Sequence, residues 1–207
     1  MTQKYIDDTT NILTPIKGIK MIVYSKMAKI YTKAGDLGLT STGTQRKIPK
    51  YSDIIDTLGD LDELSAHIGQ IRTFTPSQID VLSNIQQNIM DISSYIAMGG
   101  KESAYVLPDD MKEELTVLEV NIDLMTHEMP VLKNFIMIGN TPTESSIQIA
   151  RAVCRRAERN FWKGNYNESA GTYLNRLSDY LFTLARYSMH MKDIQPSIYK
   201  CGLVKKN

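Results

Sequence analysis

Four arginines, Arg151, Arg155, Arg156 and Arg159, lie within nine residues of a chain whose formal net charge is only +1. The rigid guanidinium group matches phosphate and carboxylate through paired hydrogen bonds better than the lysine ammonium does. On a helix, at about 100° per residue, three of them would share one sector with Glu158 beside an apolar face, with Arg156 further round. Because Glu158 is the one acid in this stretch, the row indicates a site for a small external anion. A solvated, salt-bridged helix face is the alternative.

A glycine- and threonine-rich stretch, YTKAGDLGLTSTG at residues 31–43, is a second candidate for anion binding. Its glycines Gly35, Gly38 and Gly43 allow the backbone to turn its N–H groups toward an anion. Lys33 adds a positive charge, and the Thr-Ser-Thr run adds hydroxyl groups. The stretch is not a Walker A loop, because the pattern GxxxxGK(S/T) does not occur in the chain. An ordinary surface loop is the alternative.

Two further stretches place polar side chains on helices. In DLDEL, Asp62 lies at the margin of an apolar stripe, where a carboxylate is either solvated or meets a cation across an interface. In YLNRLSDYLFTLARY, Asn175, Ser178 and Asp179 are expected on the side of the helix away from the leucines. Because Asn and Ser are poor helix formers, their presence indicates a role beyond helix formation.

The elements that must position these residues are helices. Apolar residues recur at steps of three and four, which predicts helices over residues 53–73, 77–98, 109–129, 143–163 and 170–190. Prolines and glycines fall at the breaks between them, at Pro76, Gly99-Gly100, Pro108, Pro130 and Gly164. Mostly short connections favour an antiparallel bundle. The prediction is an all-α, five-helix antiparallel bundle over residues 29–200, with an N-terminal nucleotide loop, an extension at 1–28 and a tail at 201–207.

Composition and charge exclude several classes of protein. Lys and Arg number 24 against 23 Asp and Glu, which rules out a broadly basic nucleic-acid-binding domain. No stretch approaches the ~20 apolar residues of a membrane span. The two cysteines form no CxxC motif and the three histidines have no metal-ligand spacing, so we expect a reducing compartment and no protein-held transition metal. Residues 1–28 lack the apolar core of a secretory signal and contain no arginine, which favours an extension over a targeting peptide.

Four motifs together resemble a known family. YTKxGDxGxT, DELSAHIG, RAVCRRAER and YLNRLSDYLFTLARY are similar to segments of the PduO-type ATP:cob(I)alamin adenosyltransferases, and the resemblance covers about residues 29–200. It implies a homotrimer of five-helix bundles with active sites between subunits. It also implies transfer of the 5′-deoxyadenosyl group of ATP to the cobalt of cob(I)alamin, with release of triphosphate. Cobalamin is then a substrate, and Mg²⁺ is held mainly by the ATP phosphates rather than by a dedicated protein site.

The resemblance further implies partners and a location. A corrinoid reductase and an adenosylcobalamin-dependent mutase or dehydratase are the implied partners. Nucleic acid and a membrane are not expected as partners, because of the balanced charge and the lack of a long apolar stretch. The expected compartment is the cytoplasm, or the mitochondrial matrix in a eukaryote.

The resemblance assigns roles to individual residues. It places ATP contacts at Thr32, Lys33, Ala34, Gly35, Thr40, Ser41, Lys50, Arg155, Arg156, Glu158, Arg159 and Asn175. Arg155 is also assigned to catalysis, together with Phe135, which corresponds to the aromatic residue that displaces the lower ligand of the corrinoid. Asp62 and Arg151 match a salt bridge between subunits. After Phe135 this chain reads IMIGN, where the family has a proline- and glycine-rich turn of the form ILPGG.

Three alternatives from other classes stay open at this point. A corrinoid carrier on the same bundle would bind cobalamin without forming a cobalt–carbon bond. A polyphosphate- or nucleic-acid-binding bundle would use the arginine row and show strong salt dependence, although the near-zero net charge argues against it. A purely structural trimer would leave the glycine loop and the arginine row without a task.

Overall fold

The computed structural model describes residues 30–164 and 166–202, and these divide into one unit that ends at Leu39 and another that starts at Thr40. The extension predicted at 1–28 and most of the predicted tail, from residue 203, lie outside the described residues. Short strands β1 (Leu39–Thr40) and β2 (Ile48–Pro49) form a two-stranded sheet. Everything else of regular structure in the described part is helical.

Five α-helices form the larger unit, as the apolar spacing predicts. They are α1 (Asp53–Phe74), α2 (Ile79–Ala97), α3 (Lys112–Glu128), α4 (Pro142–Lys163) and α5 (Glu168–His190). The α1–α2 and α4–α5 pairs pack directly and are joined by short connections, so each pair is antiparallel. Packing of α1 against α4 and of α5 against α3 gives the spatial order α2, α1, α4, α5, α3. The predicted five-helix bundle is confirmed.

Two helices start later than predicted, and each has a local cause. The predicted start of α2 at residue 77 is wrong by two residues, because Pro76–Gln78 forms a 3-10 turn. The predicted start of α3 at residue 109 is wrong by three residues, because Pro108–Met111 forms another. Met111 has a positive φ of 60°, which ends that turn before α3 begins.

The core is formed by the apolar faces of all five helices. The apolar stripe predicted on α4 is completely buried: Ile147, Ala150, Cys154, Ala157 and Phe161. The thiol of Cys154 donates a hydrogen bond to the carbonyl of Leu174 on α5, with Sγ and O 3.2 Å apart. Burial raises the pKa of this thiol, so it stays protonated at neutral pH. Cys154 is therefore a packing residue.

One sequence expectation about α5 is wrong. Ser178 was expected on the side away from the leucines, yet it is 3% exposed. Because α5 packs against both α4 and α3, its buried surface is wider than a single apolar stripe. The same wide surface buries the phenol rings of Tyr173 and Tyr180, whose hydroxyls reach Asn88 and Gln78 at 3.1 and 3.2 Å. Asn175 and Asp179, in contrast, are exposed as expected.

The second half of the glycine-rich stretch is fixed against the end of α2. The N–H of Gly43 donates to the carbonyl of Ala97 over 3.0 Å. A Cβ at Gly43 would lie 2.4 Å from Sδ of Met98 and 3.2 Å from the carbonyl oxygen of Ala97, so a side chain here would displace the Met98 side chain and crowd the backbone of Ala97. This contact holds the segment that carries Thr40 and Ser41.

A buried carboxylate holds the turn that leads into α4. The side-chain oxygen of Thr141 accepts from the N–H of Glu144 at 3.0 Å, and Glu144 reaches back to accept from the N–H groups of Gly139 and Asn140 at 2.9 and 3.1 Å. This is a variant of the capping box, in which the glutamate accepts from the two residues before the N-cap Thr141 instead of from the N-cap itself. Glu144 is 0% exposed, and Gly139 has a φ of +105°. The IMIGN turn is thus closed by a carboxylate and needs no proline.

The C-terminal segment is attached to the same turn. The side-chain oxygen of Asn140 accepts from the N–H and the hydroxyl of Ser197 at 3.1 and 2.9 Å. Ile136 and Ile198 form an antiparallel bridge, and the N–H of Tyr199 donates to the carbonyl of Phe135 over 2.8 Å. The segment that carries Phe135 is therefore positioned from both sides.

Replacing the capping carboxylate tests this account of the turn. Glu144→Ala leaves two backbone N–H groups without their charged acceptor, so we expect the free energy of unfolding to fall by about 2–4 kcal/mol. Glu144→Gln is the matched control, because its amide oxygen can still accept both hydrogen bonds, and it should lose less than half as much. Urea unfolding followed by far-ultraviolet circular dichroism gives both values. Equal losses in the two variants would contradict the role of the acceptor.

Candidate functional site

The arginine row splits into two groups once α4 is in place. Arg155 and Arg159 are exposed, and the guanidinium of Arg159 donates to the backbone carbonyl of Arg155 over 2.9 Å. Among the described residues, neither of them forms an ion pair with a carboxylate. Their positive charge is therefore not neutralised within that part of the chain, which is the condition for attracting an external anion.

Arg156 points toward α1 instead. Its Nε donates to Asp60 Oδ1 over 2.8 Å, and its Nη2 pairs with Glu63. Asp60 also accepts from the side-chain amide of Asn160, at 2.7 Å. The hydrogen bond to Asp60, with the charges of both carboxylates, raises the pKa of Arg156 above its ordinary value. The assignment of Arg156 to ATP binding stays a prediction, and within one chain this guanidinium joins α4 to α1.

Glu158 links α4 to α5. Its Oε1 accepts from the side-chain amide of Asn175 at 3.4 Å and from the indole N–H of Trp162 at 3.3 Å. The structure thus brings together two residues that the sequence assigned to the same site from different helices. Trp162 was missed by the sequence analysis. Its position four residues after Glu158, one helical turn on, is the signal that could have found it.

Trp162 rests on a glycine of α5. A Cβ added to Gly171 would lie 2.4 Å from Cζ2 of the indole, so only glycine lets the ring sit flat against the start of α5. The ring also meets Phe161 edge-on, with centroids 6.0 Å apart. The position of the hydrogen-bonding N–H, and with it the Glu158 carboxylate, is thereby fixed by packing.

Arg151 lies beside the row but is half-buried. Its Nε donates to the side-chain oxygen of Gln148 over 2.7 Å, and its guanidinium carbon is 5.9 Å from the ring centroid of Phe182. Burial lowers the pKa of Arg151, and the charge of Arg155 lowers it further. Asp62 is exposed on α1, and among the described residues neither Asp62 nor Arg151 forms an ion pair. Their pairing between subunits stays a prediction.

The residues assigned to the nucleotide loop fall in both units. In the smaller unit, Thr32, Lys33 and Ala34 are exposed on a turn, in which Gly38 N–H donates to the carbonyl of Gly35 over 3.3 Å. Lys33 and Gly38 have φ values of 60° and 77°. Left-handed residues also occur in anion-binding turns, where neighbouring backbone N–H groups converge on the anion.

The other loop residues belong to the larger unit. Ser41 and Lys50 are exposed, and Thr40 is half-buried. Thr40 and Ser41 belong to the segment that Gly43 holds against α2, and Lys50 follows it. Their contacts with ATP stay predictions.

Phe135 is presented to solvent on an apolar surface. The ring is 83% exposed and borders an open cavity of about 680 Å³ lined by Leu132, Lys133, Asn134, Phe135, Tyr199 and Cys201. Large exposed apolar side chains in a cluster mark a surface that binds another molecule. The sequence analysis missed Tyr199, because only the pairing of the C-terminal segment with the Phe135 segment brings it here.

The described residues contain neither a metal-binding cluster nor a membrane-spanning helix. No group of three or more His, Cys, Asp or Glu side chains there is arranged to hold a metal ion. No helix in that part of the chain is long and apolar enough to span a membrane.

Comparison with known sequences finds relatives that all carry the name of one enzyme family. A family model described as Cobalamin adenosyltransferase matches residues 30–188. A corrinoid adenosyltransferase MMAB from Mus musculus is 36% identical over 187 residues, covering 85% of this chain and 79% of the relative. A corrinoid adenosyltransferase from Bacillus subtilis is 35% identical over 168 residues, covering 76% of this chain and 85% of the relative.

Comparison with solved structures agrees. A variant of the PduO-type ATP:corrinoid adenosyltransferase from Lactobacillus reuteri, complexed with cobalamin and ATP, matches with a TM-score of 0.78 at 29% identity. The match covers 84% of this chain and 100% of that one. Sequence motifs, helix order and both comparisons lead to one conclusion: the chain belongs to the cobalamin adenosyltransferase family.

Proposed function

We propose that the chain transfers the 5′-deoxyadenosyl group of ATP to the cobalt of cob(I)alamin, forming adenosylcobalamin and triphosphate. The observation that carries the proposal is the exposed pair Arg155 and Arg159, which no carboxylate neutralises within the described residues. Family membership and the Lactobacillus reuteri neighbour, described as complexed with cobalamin and ATP, support it. The corrinoid carrier considered above is disfavoured, because handing on a finished cofactor needs no cation row for phosphates.

The reaction needs cations at the leaving group. Cobalt attacks C5′ of ATP, the C5′–O bond breaks, and its electron pair goes to the triphosphate, so negative charge grows there in the transition state. Donors and cations fixed at that position lower the barrier. We assign this role chiefly to Arg155, with Arg159, Lys33 and Lys50 as further phosphate ligands. Mg²⁺ would be held by the ATP phosphates, and Thr32, Ala34, Gly35, Thr40 and Ser41 complete the nucleotide loop.

Glu158, with its hydrogen-bond partners Trp162 and Asn175, would orient the nucleotide beside the arginine row of α4. Glu158 is held by Trp162 and Asn175, so its carboxylate keeps a fixed direction while ATP binds. No side chain has to remove a proton, because cob(I)alamin is itself a strong nucleophile. The protein supplies position and charge, and the two substrates supply the reactive atoms.

The corrinoid side depends on an apolar residue. A cobalt(II) corrinoid without an axial ligand is easier to reduce than one that keeps it, so a side chain that fills the axial position favours reduction. We assign this role to Phe135, which is exposed and held by the backbone hydrogen bond between its carbonyl and Tyr199. A corrinoid reductase would supply the electron, and a mutase or dehydratase would use the product.

We propose a homotrimer in which Asp62 of one subunit pairs with Arg151 of the next. The half-buried position of Arg151 and its lowered pKa support this pairing, since a partly desolvated cation is stabilised by a carboxylate. Arg156 is then a link between α1 and α4 that holds the arginine row in place, in addition to its predicted contact with ATP.

The free thiols of Cys154 and Cys201 are consistent with the cytoplasm or a mitochondrial matrix.

Removal of the main phosphate ligand tests the central assignment. Arg155→Ala should cost about 2–4 kcal/mol of transition-state stabilisation, as loss of a donor to a developing anion does. The measurement is anaerobic formation of adenosylcobalamin from ATP, Mg²⁺ and cob(I)alamin, followed by absorbance. Arg176→Ala is the matched control, because Arg176 pairs with Glu119 and Asp179 and has no assigned role. Near-normal turnover of the Arg155 variant would refute the assignment.

The role of Phe135 predicts a difference between two assays. Phe135→Ala should slow adenosylation of cob(II)alamin supplied with a reductase by at least ~10-fold more than adenosylation of pre-reduced cob(I)alamin, a difference of one decade in rate. Phe74→Ala, at a half-exposed phenylalanine at the end of α1, should change neither rate. Equal losses for the Phe135 variant in the two assays would remove the proposed role in reduction.

The intersubunit pair predicts a charge-swap rescue. Asp62→Arg and Arg151→Asp each place like charges opposite each other, which costs several kcal/mol at an interface, so each variant should dissociate at concentrations where the native chain is trimeric. The double variant restores the pair with its charges exchanged and should assemble again. Sedimentation velocity over a range of protein concentrations measures this. Single variants that stay fully assembled would show that the pair does not lie at an interface.

A further inference from the structure

A second cavity lies beside the Phe135 surface and has no role in the chemistry described so far. It is a cleft with a volume of about 280 Å³, bordered by the α3–α4 connection, the last turn of α5 and the C-terminal segment. Its lining residues are Met129, Pro130, Val131, Leu132, Lys133, Asn134, Arg186, Met189, His190, Ile194, Gln195, Pro196 and Ile198. Its size is near the lower end of the range for small-ligand pockets, about 300–1,000 Å³.

The walls of this cavity combine apolar and basic groups. Met129 and Met189 are buried, and polarizable methionine side chains adapt well to aromatic rings. Lys133, Arg186 and His190 are basic, and among the described residues that line the cavity none is acidic. An apolar pocket with basic groups at its wall fits a flat aromatic ring that carries an anionic substituent.

Arg186 is the best-placed anion ligand in this cavity. It is half-buried, and its Nη2 donates to the carbonyl of Pro130 over 2.9 Å, which fixes the guanidinium against the loop. Its other N–H groups have no hydrogen-bond partner among the described residues. Burial lowers the pKa of Arg186, so an anion at the remaining N–H groups would stabilise the charged form.

The cavity is continuous with the surface proposed for the corrinoid. Leu132, Lys133 and Asn134 line both the open cavity at Phe135 and the second cavity. A molecule whose main body lies on Phe135 can therefore place an appendage in the second cavity without leaving the protein surface. This step rests on the proposed function, because it takes cobalamin as the molecule on Phe135.

Cobalamin has an appendage of the required chemistry. Its lower ligand is a dimethylbenzimidazole, which is flat and apolar, joined to the corrin side chain through a ribose and a negatively charged phosphodiester. We propose that the second cavity binds this nucleotide after it leaves the cobalt, with the benzimidazole among Met129, Leu132 and Met189 and the phosphodiester at Arg186. Phe135 would then displace the base while the cavity retains it. Binding of the detached base shifts cobalamin toward the form without a lower ligand.

Cobinamide, a corrinoid that lacks the nucleotide, separates this proposal from the proposed function. Steady-state adenosylation is measured for cob(I)alamin and cob(I)inamide with the native chain, Arg186→Gln and His190→Gln. We expect the native chain to have a lower KM for cobalamin than for cobinamide. Arg186→Gln should raise the KM for cobalamin about tenfold, as loss of a charge-assisted hydrogen bond does, and should change the KM for cobinamide less than twofold. His190→Gln should show a smaller effect of the same selectivity.

Two control variants exclude a general structural effect. Arg186→Lys keeps the positive charge and should recover most of the affinity for cobalamin. Lys112→Gln removes a charge at the opposite end of α3, whose 17 residues span about 25 Å, and should affect neither substrate. Equal changes for cobalamin and cobinamide in Arg186→Gln, or no change for cobalamin, would overturn the proposal. Failure of the native chain to adenosylate either corrinoid would instead overturn the proposed function.

Discussion

The structure depends on one helix, α4, which buries one face in the core and, within the described part of the chain, exposes unpaired positive charge on the adjoining face. The inner face of α4 is completely buried at five apolar positions, and the adjoining face carries arginines whose charge is left open. Burial of apolar surface provides the stability that lets guanidinium groups stand side by side without carboxylate partners. The pairing of Arg156 with Asp60 and Glu63 ties this helix to α1 from the outside. The rotation of α4, and hence the direction of Arg155 and Arg159, is fixed by both contacts.

The surface proposed for the corrinoid relies on a different kind of interaction. Here no helix face presents Phe135; a loop does, and loops need polar contacts to be rigid. The buried Glu144 carboxylate and the side chain of Asn140 supply them, one from the start of α4 and the other by holding Ser197. The same contacts shape the second cavity, because its outer wall is the C-terminal segment. The turn that carries Phe135 thus leads into the start of α4, and the exposed Arg155 and Arg159 lie in the second half of the same helix.

The amino-acid sequence predicts the positions of the helices well, but it misses several of the contacts between them. Apolar spacing located all five helices within about three residues, because each helix buries one face. It placed Ser178 wrongly, since α5 is covered by two neighbours and periodicity assumes one. It could not show that Arg156 meets Asp60, because the two are 96 positions apart and pairing across helices leaves no local pattern. The joint position of Tyr199 and Phe135 was hidden for the same reason.

The glycine beneath Trp162 has an optical consequence. Trp162 is the single tryptophan of the chain, and Gly171 holds its ring so that the indole N–H meets the Glu158 carboxylate. A nucleotide that draws this carboxylate away changes the polarity around the indole, and the emission of an indole responds to polarity. The protein therefore contains an intrinsic fluorophore at the edge of the proposed anion site, and no dye has to be attached to test whether a nucleotide fills it.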